Sequence, residues 1–496
     1  MYLRAGIFSL GLLLLSRALG LLRESAQAAA FGSTGMGDAV IVMFTLPDLL
    51  VGILVSGALS YVLLPAWAEQ NPSTQAAGQK KVTYALMLGA LVLGLLVWIF
   101  RVEVVQALAP GLLGDMKAAS ASALGWSALV LPMAMVAALW VTRLQHERDF
   151  VGMYAGNLIV NLVLVAGLFA VPKTVVDVTL GRTLTLLGSC LAIAMLARLV
   201  WLAWRLQPQP IAIDSGAPAD LPPLQVWLWA ALSSGLLLAL PLAARSLASG
   251  AGEGALASFN YAWKLIELPL VLAVQLVASL AFPAITRTQA GTKQRHYAVG
   301  LAIVIAWTLA CAAVAVVVIF SLPIASLVFG WGRMSAANLQ VIADWAAIGI
   351  WSLLPQALLA VLLTTMATAG RMRVAVGVVA LGLAVLLLAG ALGNFHGKSV
   401  MWLLSVVFAG MAVLLTVLER RYIHGSFPYF ACLPPLCVCL GLVALKPLFA
   451  GIHVALALAL CAVVGCLVMA SALLASPALR SLLTQKTGRQ SAVNKA

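Results

Sequence analysis

Long apolar runs, each closed by a short polar or charged stretch, dominate this chain of 496 residues. A helix needs about 20 apolar residues to cross the hydrocarbon of a bilayer. On that scale the sequence divides into about 14 helical segments. They lie near 5–30, 38–66, 82–100, 120–142, 152–171, 182–204, 225–248, 256–284, 298–321, 338–367, 373–392, 399–418, 430–447 and 452–475. The second, eighth and tenth are longer than one perpendicular crossing, so they are expected to tilt or to extend beyond the bilayer. The longest polar interval, Arg205 to Leu224, is rich in Pro and Gln, carries Asp214 and Asp220, and reads as a linker.

Composition fixes the solvent. The chain is 63% hydrophobic and 9% charged, against about 25% charged residues in a soluble globular protein. Lipid must cover what water cannot. The net charge of +14 is then read as topology, because Lys and Arg collect in cytoplasmic loops. With the N terminus placed inside, the cytoplasmic segments gather Lys80, Lys81, Arg143, Arg148, Arg205, Arg287, Lys293, Arg295, Arg371, Arg373, Arg420, Arg421 and the basic tail. The tally is about 18 basic residues inside against about 8 outside, which predicts both termini in the cytoplasm. No basic run is interleaved with aromatics, so nucleic acid is not an expected partner. The first twenty residues imitate a signal peptide, but Arg17, Arg23 and Glu24 interrupt the region of cleavage and make an uncleaved first span the expectation. The seven cysteines, including the cluster Cys432, Cys437 and Cys439, sit in apolar stretches without nearby acids or histidines at metal-ligand spacing, and read as small apolar filler.

A faint internal repeat places Gly32–Pro65 over Gly250–Pro283 without a gap. In each copy a Gly-rich hairpin enters a long span with an internal proline, Pro47 or Pro269, slightly out of register. Each copy follows an odd-numbered span, so the two share orientation, which implies parallel lobes with a binding region between them. The expected fold is an all-α polytopic membrane protein. An N-lobe of helices 1–6 spans 1–206, a cytoplasmic linker 207–223, and a C-lobe of helices 7–12 spans 224–422. Helices 13–14 and a cytoplasmic tail fill 423–496.

Charge at membrane depth is a functional hypothesis by default, because a charged side chain at the bilayer centre costs several kcal/mol. The first helix carries Arg17, Arg23 and Glu24; the second carries Asp38 and Asp48; the eighth carries Lys264 and Glu267; Asp344 lies near the start of the tenth. Lys264 and Glu267 stand at i, i+3 and can neutralise one another. For Glu24, Asp38 and Asp48 an interhelical ion pair and a functional role remain equally open. Arg17, Arg23 and Lys264 point to function because they fall in corresponding regions of the two lobes. Cations facing one cavity repel unless an anion joins them, and arginine grips a phosphate through two parallel hydrogen bonds. Asn161 in the fifth span and Asn260 in the eighth are polar candidates that also fit interhelical glue.

Enzyme chemistry finds no support. His146, His296, His396, His424 and His453 are scattered, and neither a Gly-x-Ser-x-Gly elbow nor a Gly-x-x-x-x-Gly-Lys phosphate loop is present. No cofactor or metal is expected.

The segment Ser16-Arg17-Ala18-Leu19-Gly20-Leu21-Leu22-Arg23-Glu24, with Gly37-Asp38-Ala39, Leu46-Pro47-Asp48-Leu49-Leu50 and Gly57-Ala58-Leu59-Ser60, resembles the opening of the MurJ/MviN family. These are lipid II flippases of the multidrug/oligosaccharidyl-lipid/polysaccharide exporter superfamily. Pro65-Ala66-Trp67-Ala68-Glu69 is similar to the same family, as is Phe259-Asn260-Tyr261-Ala262-Trp263-Lys264-Leu265-Ile266-Glu267-Leu268-Pro269. The likeness covers about the first 70 residues and the region 255–288; elsewhere it rests on helix number and on positions such as Phe150 and Asn161.

The resemblance implies a two-lobed fold of 14 helices and a cavity in the bacterial inner membrane whose cations hold the pyrophosphate of a polyprenyl-linked glycan during alternating access. Arg17 and Arg23 match as cavity cations, Asp38 as an accompanying acid, and Lys264, with Glu267 behind it, stands where the family places an arginine. A lysine keeps the charge but loses the planar fork. The family's basic pair in the second helix falls on Val51 and Gly52, and its acid a turn later on Ser56. The Asp and Asn of some members' sodium site have no counterpart in the seventh and eleventh helices. The pattern implies a divergent member carrying lipid II or a related envelope or exopolysaccharide precursor, with membrane lipids and envelope glycosyltransferases or polymerases as further partners. The competing expectations are a transport-inactive scaffold of an envelope-glycan machinery and a small-molecule exporter of the same superfamily.

Overall fold

In hydrocarbon every backbone N–H and C=O must find its partner within the chain, and an α-helix satisfies this segment by segment. The computed structural model describes residues 2–171, 180–206, 221–280, 292–393, 395–420, 427–449 and 451–481, with side-chain surroundings for all of these except 2–10, 56 and 272–280. Among the described residues all regular structure is helical. The linker centre, Pro283 of the repeat and the end of the tail lie outside them. In order, the helices are α1 (Tyr2–Phe31), α2 (Gly35–Ile53), α3 (Leu59–Glu69), α4 (Pro72–Ile99), α5 (Arg101–Leu108), α6 (Gly114–His146), α7 (Phe150–Ala170), α8 (Leu180–Arg205) and α9 (Leu224–Ser249). They continue with α10 (Ala255–Leu280), α11 (Lys293–Phe329), α12 (Ala336–Gly349), α13 (Leu353–Thr368), α14 (Met372–Leu392), α15 (Lys398–Leu418), α16 (Tyr429–Ala444) and α17 (Val454–Ala475).

Over its described residues each of the fourteen apolar segments coincides with one of these helices or with a continuous run of them; 281–284 of the eighth lie outside the described residues. Eleven such stretches among the described residues are long and apolar enough to cross a membrane. The protein is an all-α polytopic membrane protein. Its outward surface agrees, since Leu88, Leu91, Leu95 and Trp98 of α4 are all more than half exposed, as lipid-facing side chains should be. The long second segment is not one helix. A π-helical turn, Leu54–Ala58, joins α2 to α3, and the long tenth segment breaks at the 3-10 turn Ile350–Ser352 between α12 and α13.

Packing groups the chain into two compact units. One comprises Met1–Ser258 with Phe329–Ser335, the other Phe259–Val328 with Ala336–Ala496. α9 belongs to the first of these units, because it packs on α2, α3 and the π turn. Gly57 permits this: a Cβ there would collide with the Ser234 hydroxyl of α9.

In the first unit α6 lies against α2, α4 and α8, and α7 lies between α1 and α8. Val40 and Met43 of α2, Val130 and Ala134 of α6, Leu164 of α7 and Leu187 of α8 form its main core. Pro47 of α2 has no N–H to give the Met43 carbonyl, and the Ser127 hydroxyl of α6 donates to that oxygen instead. In the second unit α15 packs against α12, α13 and α14, and α16 against α17. Arg371, before α14, is ion-paired with Glu419 at the end of α15, whose side chain is buried.

Candidate anion-binding site

The first unit places three charged side chains of the predicted set together. Arg23 of α1 is held by its neighbour Glu24, Nη2 to Oε1 at 3.0 Å, and by Asp48 of α2, Nη2 to Oδ2 at 3.2 Å. The guanidinium also lies 5.8 Å from the centre of the Phe44 ring, a cation–π contact that helps hold a charge out of water. Arg23 and Glu24 are nearly sealed, whereas the Asp48 side chain is 53% exposed. Asp48 follows Pro47 directly, and α2 stays helical through both.

Arg17, six residues earlier on α1, is exposed and has no ion-pair or hydrogen-bond partner among the described residues. It therefore differs from Arg23 in being open to an incoming anion. Asn161 of α7 is buried, and its amide nitrogen lies 4.0 Å from where a Cβ of Gly20 would stand on α1. It thus packs at the α1–α7 contact between the two arginines.

Asp38 lies elsewhere in the unit. It is buried at 1% exposure, and its carboxylate accepts from the backbone N–H of Gly254 at 2.8 Å and of Ala257 at 2.7 Å. Both oxygens thus cap the first turn of α10, where unpaired amides and the helix dipole favour an anion. Glu253 reciprocates: its Oε1 accepts from Gly35 N at 3.0 Å and caps α2. Gly254 has φ +78°, which a side chain would strain. The two copies of the faint repeat are therefore tied at their opening turns by exchanged carboxylate caps.

In the second unit Lys264 Nζ meets Glu267 Oε2 at 2.8 Å, the i, i+3 pair expected from the spacing. Both side chains are about a third exposed, at 29% and 33%. Asn260, one turn before, is buried. Asp344 is exposed and accepts from Gln340 of its own helix at 2.8 Å.

Two cations at helix depth escaped the sequence reading. Arg198 of α8 is 4% exposed. It has no hydrogen bond or ion pair among the described residues, and its Nε is orphaned. Arg245 of α9 donates from Nη2 to the Thr45 hydroxyl at 2.6 Å, and Thr45 in turn donates to the Ile41 carbonyl. Their signal was available. Each is a lone arginine inside an apolar run, the same rule that selected Arg17 and Arg23.

Comparison with known proteins agrees with this architecture. Over 111 residues the chain is 37% identical to the probable lipid II flippase MurJ of Rickettsia prowazekii, spanning 22% of each chain. It is 26% identical over 349 residues to the probable lipid II flippase MurJ of Rhizobium meliloti, spanning 67% of this chain and 64% of that one. These matches thus span about a fifth and just under two thirds of those relatives' lengths. The lipid II flippase MurJ of Burkholderia cenocepacia is 24% identical over 355 residues, with 67% of each chain covered. A solved structure of lipid II flippase MurJ in an inward closed conformation superposes with a TM-score of 0.80 at 14% identity, covering 94% of this chain and 98% of the other. An inward-facing multidrug resistance MATE family transporter of the MOP superfamily shares the fold less closely, with a TM-score of 0.60 over 82% of this chain and 94% of its own. The family model described as lipid II flippase MurJ matches residues 27–481, most of the sequence, and the chain belongs to that family.

Proposed function

We propose that the protein is a flippase that carries a polyprenyl-pyrophosphate- or polyprenyl-phosphate-linked glycan, lipid II or a close envelope precursor, across the bacterial inner membrane. The observation that carries the reading is Arg17. It is an arginine on a membrane helix, exposed and without an ion-pair partner among the described residues, about one and two-thirds turns from a second arginine already paired with carboxylates. A lone charge at this depth is maintained against its desolvation only if something anionic joins it. A phosphate diester or pyrophosphate matches the guanidinium fork. Membership of a flippase family favours transport over catalysis as the use of that charge. Both termini lie in the cytoplasm in this reading, as the distribution of Lys and Arg requires.

Arg23 and Lys264 enter the reading differently from Arg17, because each already has a carboxylate. They serve a phosphate by exchanging partners, not by filling an empty coordination. The test is twofold. Undecaprenyl-linked lipids should co-purify with the wild-type protein and be identified by mass spectrometry. Arg17→Ala should insert normally yet fail to restore growth to flippase-depleted cells. Full complementation by Arg17→Ala, or a wild-type protein free of polyprenyl lipid, would remove the proposal, and inertness of the wild type in both assays would leave a scaffold.

A further inference from the structure

The second unit holds a cavity of its own at the Lys293 end of α11. Its volume is about 560 Å³, within the range of small-ligand sites, about 300–1,000 Å³. One wall is a single stripe of α11. Lys293, His296, Tyr297, Gly300, Leu301 and Val304 all line it, at the i, i+3, i+4 spacing of one helix face. The stripe changes character along its length. An ammonium and an imidazole come first, then a phenol, then only carbon. From Lys293 to Val304 it covers about 16 Å of helix. The facing wall is made by Phe427, just before α16, Ala431 within it, and Ser476, just after α17. Trp307, one turn beyond Val304, donates from Nε1 to the Cys432 carbonyl of α16 at 3.1 Å. That bond ties α11 to α16 just past the apolar end of the cavity.

The polar groups at the mouth are not committed within the fold. Arg295 turns away to the end of α13, where its Nη2 donates to the Thr368 hydroxyl at 2.8 Å. Lys293 and His296 make no ion pair or side-chain hydrogen bond among the described residues, and no carboxylate among those residues lines the cavity. The mouth is also the start of α11, whose dipole adds to the attraction for an anion. A soluble anion would use the mouth and leave the apolar end empty. The chain's own end is no match either, because Lys486, Arg489 and Lys495 carry the same sign as Lys293. We propose that this cavity binds a phospholipid of net charge −1, with its phosphodiester on Lys293 and His296 and an acyl chain along Leu301, Val304 and Ala431. Basic pockets between membrane helices on the cytoplasmic side suit anionic headgroups, and the topology proposed above places this mouth in the cytoplasmic leaflet. The lipid is a structural ligand that joins α16 and α17 to α11, distinct from the transported cargo. It uses no residue of the α1 site, so it stands apart from the flippase reading.

The test titrates the full-length protein, delipidated in detergent, with phosphatidylglycerol and in parallel with phosphatidylcholine. Bound lipid is counted by native mass spectrometry, and melting is followed on the same samples. Phosphatidylglycerol should bind about fivefold more tightly than phosphatidylcholine and raise the melting temperature more. Lys293→Gln should lose about fivefold in phosphatidylglycerol affinity, whereas Lys293→Arg should keep it. Ala431→Phe leaves both polar groups in place but fills the apolar end, and should weaken binding as well. Glycerol phosphate, the headgroup without its chains, should compete far less well than the lipid. Equal binding of the two lipids by the wild type overturns the proposal. So does wild-type affinity in Lys293→Gln, a measurement that stands even if Ala431→Phe fails to fold. Competition by glycerol phosphate as strong as by the lipid makes this a soluble-anion site and overturns it too. Displacement of phosphatidylglycerol by an equal amount of undecaprenyl phosphate gives the cavity to the cargo, and the structural-lipid proposal falls while the flippase reading stays.

Discussion

Ser127 illustrates how single side chains hold this fold. Its hydroxyl occupies the Met43 carbonyl that Pro47 leaves unpaired, and both groups are buried between α2 and α6. Ser127→Ala should lower stability by about 1–3 kcal/mol, the cost of one buried unsatisfied acceptor, seen as a lower melting temperature in detergent with insertion unchanged. Asp38 has a larger duty, since two backbone amides of α10 depend on it. Asp38→Ala strands both and should destabilise more than Ser127→Ala, whereas Asp38→Asn, which keeps a side-chain acceptor, should fall between the wild type and Asp38→Ala in the same melt. That ordering separates a capping role from a role in binding, because a cavity acid would show its effect in lipid binding and not in the melt. The residue level was partly legible: the rule that isolates charge at membrane depth finds Arg17, Arg23, Asp38 and Lys264, and applied evenly it finds Arg198 and Arg245. Which of these are satisfied and which are not is invisible in sequence, because partners such as Arg23 and Asp48 lie 25 positions apart.

The helix elements carry a second set of expectations. The π turn at Leu54–Ala58 interrupts what hydropathy alone reads as one long span, and such turns recur where a helix must accommodate a close neighbour or a function. Here the neighbour is α9, which approaches so closely that Gly57 faces Ser234 without room for a Cβ. Gly57→Val should push α9 away and lose about 1–3 kcal/mol through overpacking, measured as earlier unfolding in a denaturation series. Gly89 of α4 has open space around its Cβ position, so Gly89→Ala should be neutral or slightly stabilising in the same series. Hydropathy locates the apolar segments because lipid enforces length and composition on each. It does not see the breaks at Leu54–Ala58 and Ile350–Ser352, since a π or 3-10 turn keeps the same apolar composition while changing only the hydrogen-bond register.

At the scale of the whole molecule the clearest prediction is topological. Alkaline phosphatase fused after Ala496 should be inactive and a fluorescent protein there should glow, whereas phosphatase inserted near Gly332, in the turn between α11 and α12, should be active. The opposite pattern would invert every loop. Lipid residence, helix content and the approximate segment positions follow from sequence alone, because a bilayer admits only apolar helices of sufficient length and each segment meets that condition locally. The family likeness was also local, carried by contiguous motifs in the first 70 residues and around Phe259–Pro269. Tertiary structure alone decided the rest. It assigned α9 to the unit of α1–α8, tied the turns of α2 and α10 through exchanged carboxylate caps, and put two acids on Arg23 while giving Arg198 no ion pair among the described residues. Those outcomes depend on which side chains meet across helices distant in sequence, and no periodicity along one helix encodes the partner it will find on another.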